Sequence, residues 1–126
     1  MLNTQLALNA FWNSFGIPAY LEGTVPPSAT LPYITFRARH GDAFTSATVT
    51  AYCWFKDEGQ GVNEQRALML DKIAAAIPPG GKRLQIPTGM IILFRNTTSF
   101  QGPYDDPADP SVKGGRTSLI ARFLTL

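Results

Sequence analysis

Two neighbouring segments in which apolar and polar residues alternate constrain the fold more than any other feature. These are "YITFRAR" at 33–39 and "AFTSATVTAYCWF" at 43–55, where every second residue of each core stretch is apolar. A period of two residues is typical of a half-buried β-strand, and the many β-branched and aromatic residues favour the same structure. Because residues 40–42 have the composition of a turn, the sequence predicts an antiparallel hairpin.

Two other segments show the i, i+3, i+4, i+7 spacing of an amphipathic helix. The apolar stripe of the first consists of Leu8, Phe11, Trp12 and Phe15. The stripe of the second consists of Leu70, Ile73, Ala74 and Ile77. Asn63 is the predicted N-cap of the second helix, and the Pro-Pro-Gly-Gly stretch at 78–81 is predicted to end it.

Further strands are predicted at "RLQI", "MIILFRN" and "RTSLIARFLTL", so the order of elements is αββαβββ. Short links between consecutive strands favour an antiparallel sheet. We therefore predict an α+β fold with two layers, in which four to five antiparallel strands carry both helices on one face. Residues 1–126 form one domain, with a long loop at about 96–115.

Composition narrows the possible functions. Charged residues make up 16% of the chain and the net charge is +2. An average soluble domain has about 25% charged residues, so the low value suits a surface partly covered by other chains. A single cysteine, Cys53, excludes an internal disulfide and argues against structural zinc. The N-terminal residues lack a basic region and a cleavage site, so we expect no signal peptide.

The stretch "QGPYDDPADPSVKGG" at 101–115 is the main candidate for a functional site. It contains Asp105, Asp106 and Asp109, and clustered carboxylates suit hard cations such as Mg²⁺ or Ca²⁺. A solvated loop and a loop that binds another protein are the alternatives. The prolines favour the protein-binding loop, because they reduce the entropy that is lost when it is ordered. Phe100 and Tyr104 would then be aromatic anchors, and the three carboxylates and Lys113 would give specificity of charge. We also expect substitutions between 101 and 113 to affect assembly more than folding.

Nothing in the sequence forms a catalytic constellation, so we predict neither an enzyme nor a bound cofactor. His40 has no partner in a recognisable motif, and Cys53 alternates with apolar residues as a core thiol does. Arg37 and Arg39 share a strand face and are candidates for lining a passage for DNA. Arginines scattered on an exposed sheet face are the alternative.

Four stretches resemble the tail terminator, or tail-completion, proteins of long-tailed bacteriophages. They are "FWNSFGIPAYLEGTVP", "ATLPYITFRARHGDAF", "VTAYCWFKDEGQGVNEQRALMLDKIAAAI" and "DDPADPSVKGGRTSLIARFLTL". None of the four is a catalytic signature, and Gly114-Gly115 replaces the basic and apolar lead-in to the last strand that the family would have.

The resemblance implies a structural protein of the virion neck, assembled in the host cytoplasm. Its copies would form a ring, expected to be a hexamer, that caps the tail tube, ends its polymerisation and presents the head-docking surface. The expected partners are the tail tube protein and a head-completion or stopper protein, while DNA would pass through the ring. Another head–tail connector component and a small metal-binding module that uses the Asp-rich loop are the alternatives.

Overall fold

A computed structural model describes residues 2–40, 46–58 and 61–125 of the chain. Its helices and strands follow in the order α1 (Leu2–Asn13), β1 (Ala19–Leu21), β2 (Tyr33–His40), β3 (Ser46–Lys56), α2 (Val62–Ala76), β4 (Lys82–Ile86), β5 (Gly89–Arg95), β6 (Gln101–Pro103) and β7 (Val112–Thr125). The α+β class predicted from the sequence is confirmed.

The described strands form one sheet of seven, in the order β1-β2-β3-β7-β5-β4, with β6 beside β5 on the same side of β7. The predicted hairpin of β2 and β3 is present, with Ile34 opposite Cys53. The prediction of four to five antiparallel strands was wrong in two respects, because β1 and β6 are additional strands and β1 pairs with β2 in parallel. Both additional strands have only three residues, too few for alternation to be visible in the sequence.

Both helices lie on the same face of the sheet. The ring of Trp12 in α1 stacks on Phe36 in β2 at a centroid distance of 6.4 Å. In α2, the side chain of Leu70 lies directly over Gly115 in β7. Helix α1 contacts both β1 and β4, the two edges of the sheet, so the sheet curls around it. We call the opposite face of the sheet, which neither helix covers, the outer face.

The core is built as the apolar stripes predicted. All four residues of the first predicted stripe are buried, although Phe15 lies just beyond the end of α1. In the second stripe Ile73 and the C-cap residue Ile77 are buried, whereas Leu70 and Ala74 are half-buried. The predicted cap was wrong, because Asn63 lies inside α2. The residue before the helix is Gly61, with φ at 98°, and its carbonyl accepts a hydrogen bond from the Gln65 amide at 2.9 Å.

The stretch predicted as a long loop at 96–115 is mostly a β-hairpin. Its strands are β6 and the first half of β7, and Gln101 lies opposite Thr117. Beyond β6, the amide of Tyr104 donates to the carbonyl of Gly114 at 2.9 Å, and that of Asp106 to the carbonyl of Val112 at 3.2 Å. We call residues 101–115 the β6–β7 hairpin. Strand β7 thus begins four residues before the Arg116 that starts the predicted last strand, and no unbroken loop spans 96–115.

Candidate interaction surface

Three aromatic side chains lie together on the outer face, and we call Tyr52, Trp54 and Tyr104 the aromatic cluster. Tyr52 and Trp54 alternate with core residues on β3, and their rings stack at 5.5 Å. Tyr104 comes from the hairpin, with its ring 5.0 Å from Tyr52 and 6.0 Å from Trp54. The Trp54 indole N–H donates to the hydroxyl of Thr35 at 2.9 Å, which fixes the orientation of the ring. The cluster therefore joins the hairpin to the sheet and leaves Tyr104 40% exposed.

The aromatic cluster forms one wall of an open groove of about 440 Å³. The other lining residues include Glu22, Arg37, Asp106 and Pro107. The Arg37 guanidinium lies 3.8 Å from the carboxylate of Glu22, and both side chains are partly exposed. Aromatic walls with a few fixed polar groups are typical of surfaces that bind other proteins.

Asp105 is fixed to α2. Its carboxylate accepts a hydrogen bond from the guanidinium of Arg66, and the Lys113 ammonium lies 3.5 Å away. Arg66 also donates to the carbonyl of Gly114 at 3.4 Å, so one side chain holds both arms of the hairpin. Partial desolvation raises the pKa of Asp105, but the hydrogen bond from Arg66 and the charges of Lys113 and Arg66 together lower it further, so the net shift is downward.

The other two carboxylates stabilise the tip of the hairpin. Asp106 accepts a hydrogen bond from the amide of Ala108 at 2.8 Å, and Asp109 accepts one from the amide of Ser111 at 3.0 Å. The Ser111 hydroxyl also donates to Asp109 at 2.6 Å, and the two hydrogen bonds from Ser111 lower the pKa of Asp109. These are side-chain turns of the kind that Asp favours. Each carboxylate thus has its own partner, and within the described residues no group of three His, Cys, Asp or Glu side chains could hold a metal ion.

Phe100, one of the two predicted anchors, is half-buried and packs against the core. The Arg95 guanidinium lies 4.9 Å from the centre of its ring. Arg95 also donates to the carbonyls of Ile77 at 2.9 Å and Ala74 at 2.7 Å, at the C-terminal end of α2. Phe100 therefore contributes to the packing around this helix end, and Tyr104 is the anchor that remains accessible.

Gly114 and Gly115 let three elements approach one another closely. A Cβ atom at Gly114 would lie 2.5 Å from the carbonyl oxygen of Cys53 and 2.9 Å from that of Tyr104. At Gly115 it would lie 2.8 Å from a methyl group of Leu70. The two glycines therefore leave room for Leu70 of α2 over Gly115 and for the close approach of the Cys53 and Tyr104 carbonyls at Gly114.

The remaining candidates occupy different environments. Arg37 lies on the outer face, paired with Glu22, and the side chain of Arg39 lies outside the described residues. His40 is the last residue of β2, while the predicted turn after it also lies outside them. Cys53 is buried, and desolvation raises the pKa of its thiol to about 11, so the thiol stays protonated at neutral pH.

Sequence reasoning missed Arg66, Tyr52 and Trp54 as parts of this surface. The alternation along β3 places both aromatic residues on the face away from the core. That pattern could have identified Tyr52 and Trp54 as surface residues. Arg66 and Asp105 are 39 positions apart, so no local sequence pattern predicts that they pair. Arg66 and the aromatic cluster tie the 101–113 segment to α2 and β3, so we expect some substitutions there to affect stability as well. That substitutions in this segment affect assembly more than folding stays a prediction.

Comparison with protein-family models, with curated proteins and with solved structures finds no significant match to this chain. Neither of the helices among the described residues is long and apolar enough to cross a membrane.

Proposed function

We propose that this chain is a structural subunit of the neck of a long-tailed bacteriophage, of the tail terminator type. Copies of the chain form a ring, expected to be a hexamer, on the last ring of the tail tube. The ring stops polymerisation of the tube, provides the docking surface for the head-completion or stopper protein, and lets DNA pass through without sequence-specific contacts.

The observation that best supports the proposal is that the β6–β7 hairpin is fixed from both faces of the sheet, by Arg66 of α2 on one face and by the aromatic cluster on the outer face. Arg66, Lys113 and the aromatic cluster hold the hairpin before any partner is bound. An ordered hairpin loses little conformational entropy on binding, which favours specific assembly. Tyr104, at 40% exposure, offers an aromatic contact to the partner. The resemblance of the four sequence stretches to tail terminator proteins is the reason for proposing a phage neck protein in particular.

The alternative use of the Asp-rich segment as a metal-binding module has less support. Asp105 is neutralised by two cations, and Asp106 and Asp109 accept hydrogen bonds from the backbone of their own turns. Binding one cation with all three carboxylates would require breaking these contacts. Calorimetry with Mg²⁺ and Ca²⁺ tests this alternative, and millimolar or tighter binding that disappears in an Asp105→Asn variant would favour it.

Electron microscopy of phage particles produced without this chain tests the proposal. We expect tail tubes of irregular or excessive length that do not join heads, and rescue of both defects by the wild-type chain supplied in trans. Tubes of normal length that still join heads would refute the proposal. Tubes of normal length, together with heads that carry the chain in the absence of tails, would assign it to another head–tail connector component.

A Tyr104→Ser variant makes the test specific to the outer face. We expect this variant to fold but to rescue tail completion poorly, because the exposed aromatic contact is lost. The control is Leu6→Ser, which removes a large apolar side chain that is even more exposed (58%) from α1. Equal rescue by the two variants would argue against the hairpin as the partner surface.

A further inference from the structure

Among the described residues, carboxylates are concentrated at one end of the sheet and arginines at the other, and we propose that the acidic end of one copy of this chain docks on the basic end of the next. The acidic end is where β3 finishes at Lys56 and β7 begins at Val112, and the basic end is where β3 begins at Ser46. Strand β3 has 11 residues, so the ends are roughly 35 Å apart at about 3.3 Å per residue. This proposal names the contact between copies of the chain. It rests on the proposed function for the role that the resulting ring would have.

Carboxylates are concentrated at the acidic end. The amide of Asp57 donates to the carbonyl of Ser111 at 2.7 Å, which places Asp57 and Glu58 beside the tip of the β6–β7 hairpin with its Asp109. The Lys56 ammonium, 3.6 Å from Glu58, compensates only part of this negative charge. The carboxylates of Asp57, Glu58 and Asp109 are all exposed, so they are available to a cationic partner.

Arginines are concentrated at the basic end. The strand register aligns Ser46 with Arg122, Arg122 with Ile92, and Ile92 with Arg83, so both arginines lie in one row across the sheet. Arg83 and Arg122 are exposed. Strands β4, β5 and β7 contain no acidic residue, so these strands give the two guanidinium groups no neighbouring carboxylate.

Each end also has an apolar feature that matches the other. At the acidic end, a groove of about 680 Å³ between α2 and the start of β2 has an apolar part formed by Leu31, Pro32, Phe55 and Leu68, and Leu68 is 61% exposed. The charged side chains of Lys56, Glu58 and Lys72 also line this groove. At the basic end, Leu124 is 53% exposed and lies two residues beyond Arg122. An exposed leucine beside arginines on one copy therefore fits the apolar part of the groove on the next, where the carboxylate of Glu58 is available to an arginine.

A contact between two different patches is heterologous, and repeating it generates a closed ring when the rotation between copies closes. Contact between like ends would place carboxylates against carboxylates or arginines against arginines, which costs free energy. The charges therefore favour head-to-tail association over a two-fold dimer.

Disulfide crosslinking of a Leu68→Cys/Leu124→Cys double variant tests the contact directly. The native Cys53 is buried and its thiol stays protonated, so it contributes little background. At protein concentrations at which the copies associate, we expect mild oxidation to give a ladder of covalent oligomers. Each single variant should give no species larger than a dimer. As a control, a Leu6→Cys/Leu68→Cys variant should give no ladder.

Absence of a ladder at all concentrations up to the millimolar range would overturn the proposal, and so would an equal ladder from the Leu6 control. Crosslinking measures contact between copies whether or not the chain acts in a phage tail. Microscopy of tails made without the chain measures its function whichever surfaces meet. The two failures can therefore be told apart.

Charge reversal gives an independent measurement. An Arg83→Glu/Arg122→Glu variant has two acidic ends, and an Asp57→Lys/Glu58→Lys variant has two basic ends. Each alone should self-associate at least roughly tenfold more weakly than the wild type, as measured by analytical ultracentrifugation at low salt. An equimolar mixture should regain association as alternating oligomers.

The matched control for Arg122→Glu alone is Arg116→Glu, which makes the same single change on the same strand and face but away from the basic end, and it should self-associate normally. A mixture that stays as monomeric as its components would refute the pairing of the two ends. Equal weakening by Arg116→Glu would show a general effect of net charge, and would also refute it.

Discussion

Arg66, in the second turn of α2, donates a hydrogen bond to the carboxylate of Asp105, which lies 39 positions later in the β6–β7 hairpin. The guanidinium is mostly buried and the carboxylate is half-exposed. This contact makes the hairpin part of the folded domain before any partner binds, and the first prediction follows from it.

An Asp105→Asn variant should have a lower melting temperature than the wild type at pH 7. The folded pKa of Asp105 is lowered, so its ionised form stabilises the fold above the unfolded carboxyl pKa of about 3.9. That contribution is lost as the pH falls through the folded value. Thermal unfolding from pH 2 to 7 should show the two proteins diverging as the pH rises towards about 4 and keeping a constant difference above it, while Asp71→Asn, an exposed change on α2, follows the wild type. Equal melting temperatures at pH 7 would mean that the pair adds no stability.

Alanine at the glycine pair should be costly in two different ways. Gly115→Ala brings a Cβ against the flexible side chain of Leu70, so we expect a loss of about 1–3 kcal/mol in the free energy of unfolding. Gly114→Ala brings a Cβ within 2.5 Å of a backbone carbonyl, which cannot move without disturbing the β3–β7 pairing, so the loss should be larger. Urea denaturation measures both.

The control is Gly102→Ala, where the added Cβ meets no atom within 4 Å and the change should stay within about 1 kcal/mol. A Gly115→Ala/Leu70→Ala double variant should be more stable than the sum of the single losses predicts, because the clash is removed. If the loss of free energy in the double variant equals the sum of the two single losses, a clash between the two side chains is not the cause.

Arg95→Met should lower the free energy of unfolding by about 1–2 kcal/mol. The substitution keeps an apolar chain but removes the hydrogen bonds to the carbonyls of Ile77 and Ala74, and the contact with the Phe100 ring. Arg83→Met, at an exposed arginine of β4, is the control and should be nearly neutral. If both variants unfold at the same urea concentration, Arg95 does not stabilise the end of α2.

Two alanine substitutions on α2 should differ strongly in their effect on stability. Ile73 is 2% exposed, so Ile73→Ala should cost about 2–5 kcal/mol. Leu68 is 61% exposed, so Leu68→Ala should change the free energy of unfolding by no more than about 0.5 kcal/mol. Chemical denaturation of both variants checks which face of α2 is buried. A large decrease in the free energy of unfolding for Leu68→Ala alone would mean that the buried and exposed faces are assigned the wrong way round.

Local patterns predicted those parts of the fold that are specified by neighbouring residues. The stripe of α1 and the alternation in β2 and β3 indicated which side chains are buried. The composition of residues 101–115 identified the segment that carries the candidate surface, and Tyr104 was named from it. Phe100 and Asp105 both have partners within the chain, which the sequence did not predict, and their roles at a partner interface stay predictions.

The sequence alone determined the α+β class, the buried faces of the longer elements and the position of the Asp-rich segment, because these depend on residue spacing over one or two turns. Only the tertiary structure decided that β1 runs parallel to β2, that residues 101–115 form a hairpin, and that Arg66 and Asp105 meet. The contact of Arg66 with Asp105 joins residues far apart along the chain, and strands β1 and β6 are too short for their pairing to follow from a local pattern. Many distant partners are compatible with the same local pattern, and the packing of the whole core selects one of them.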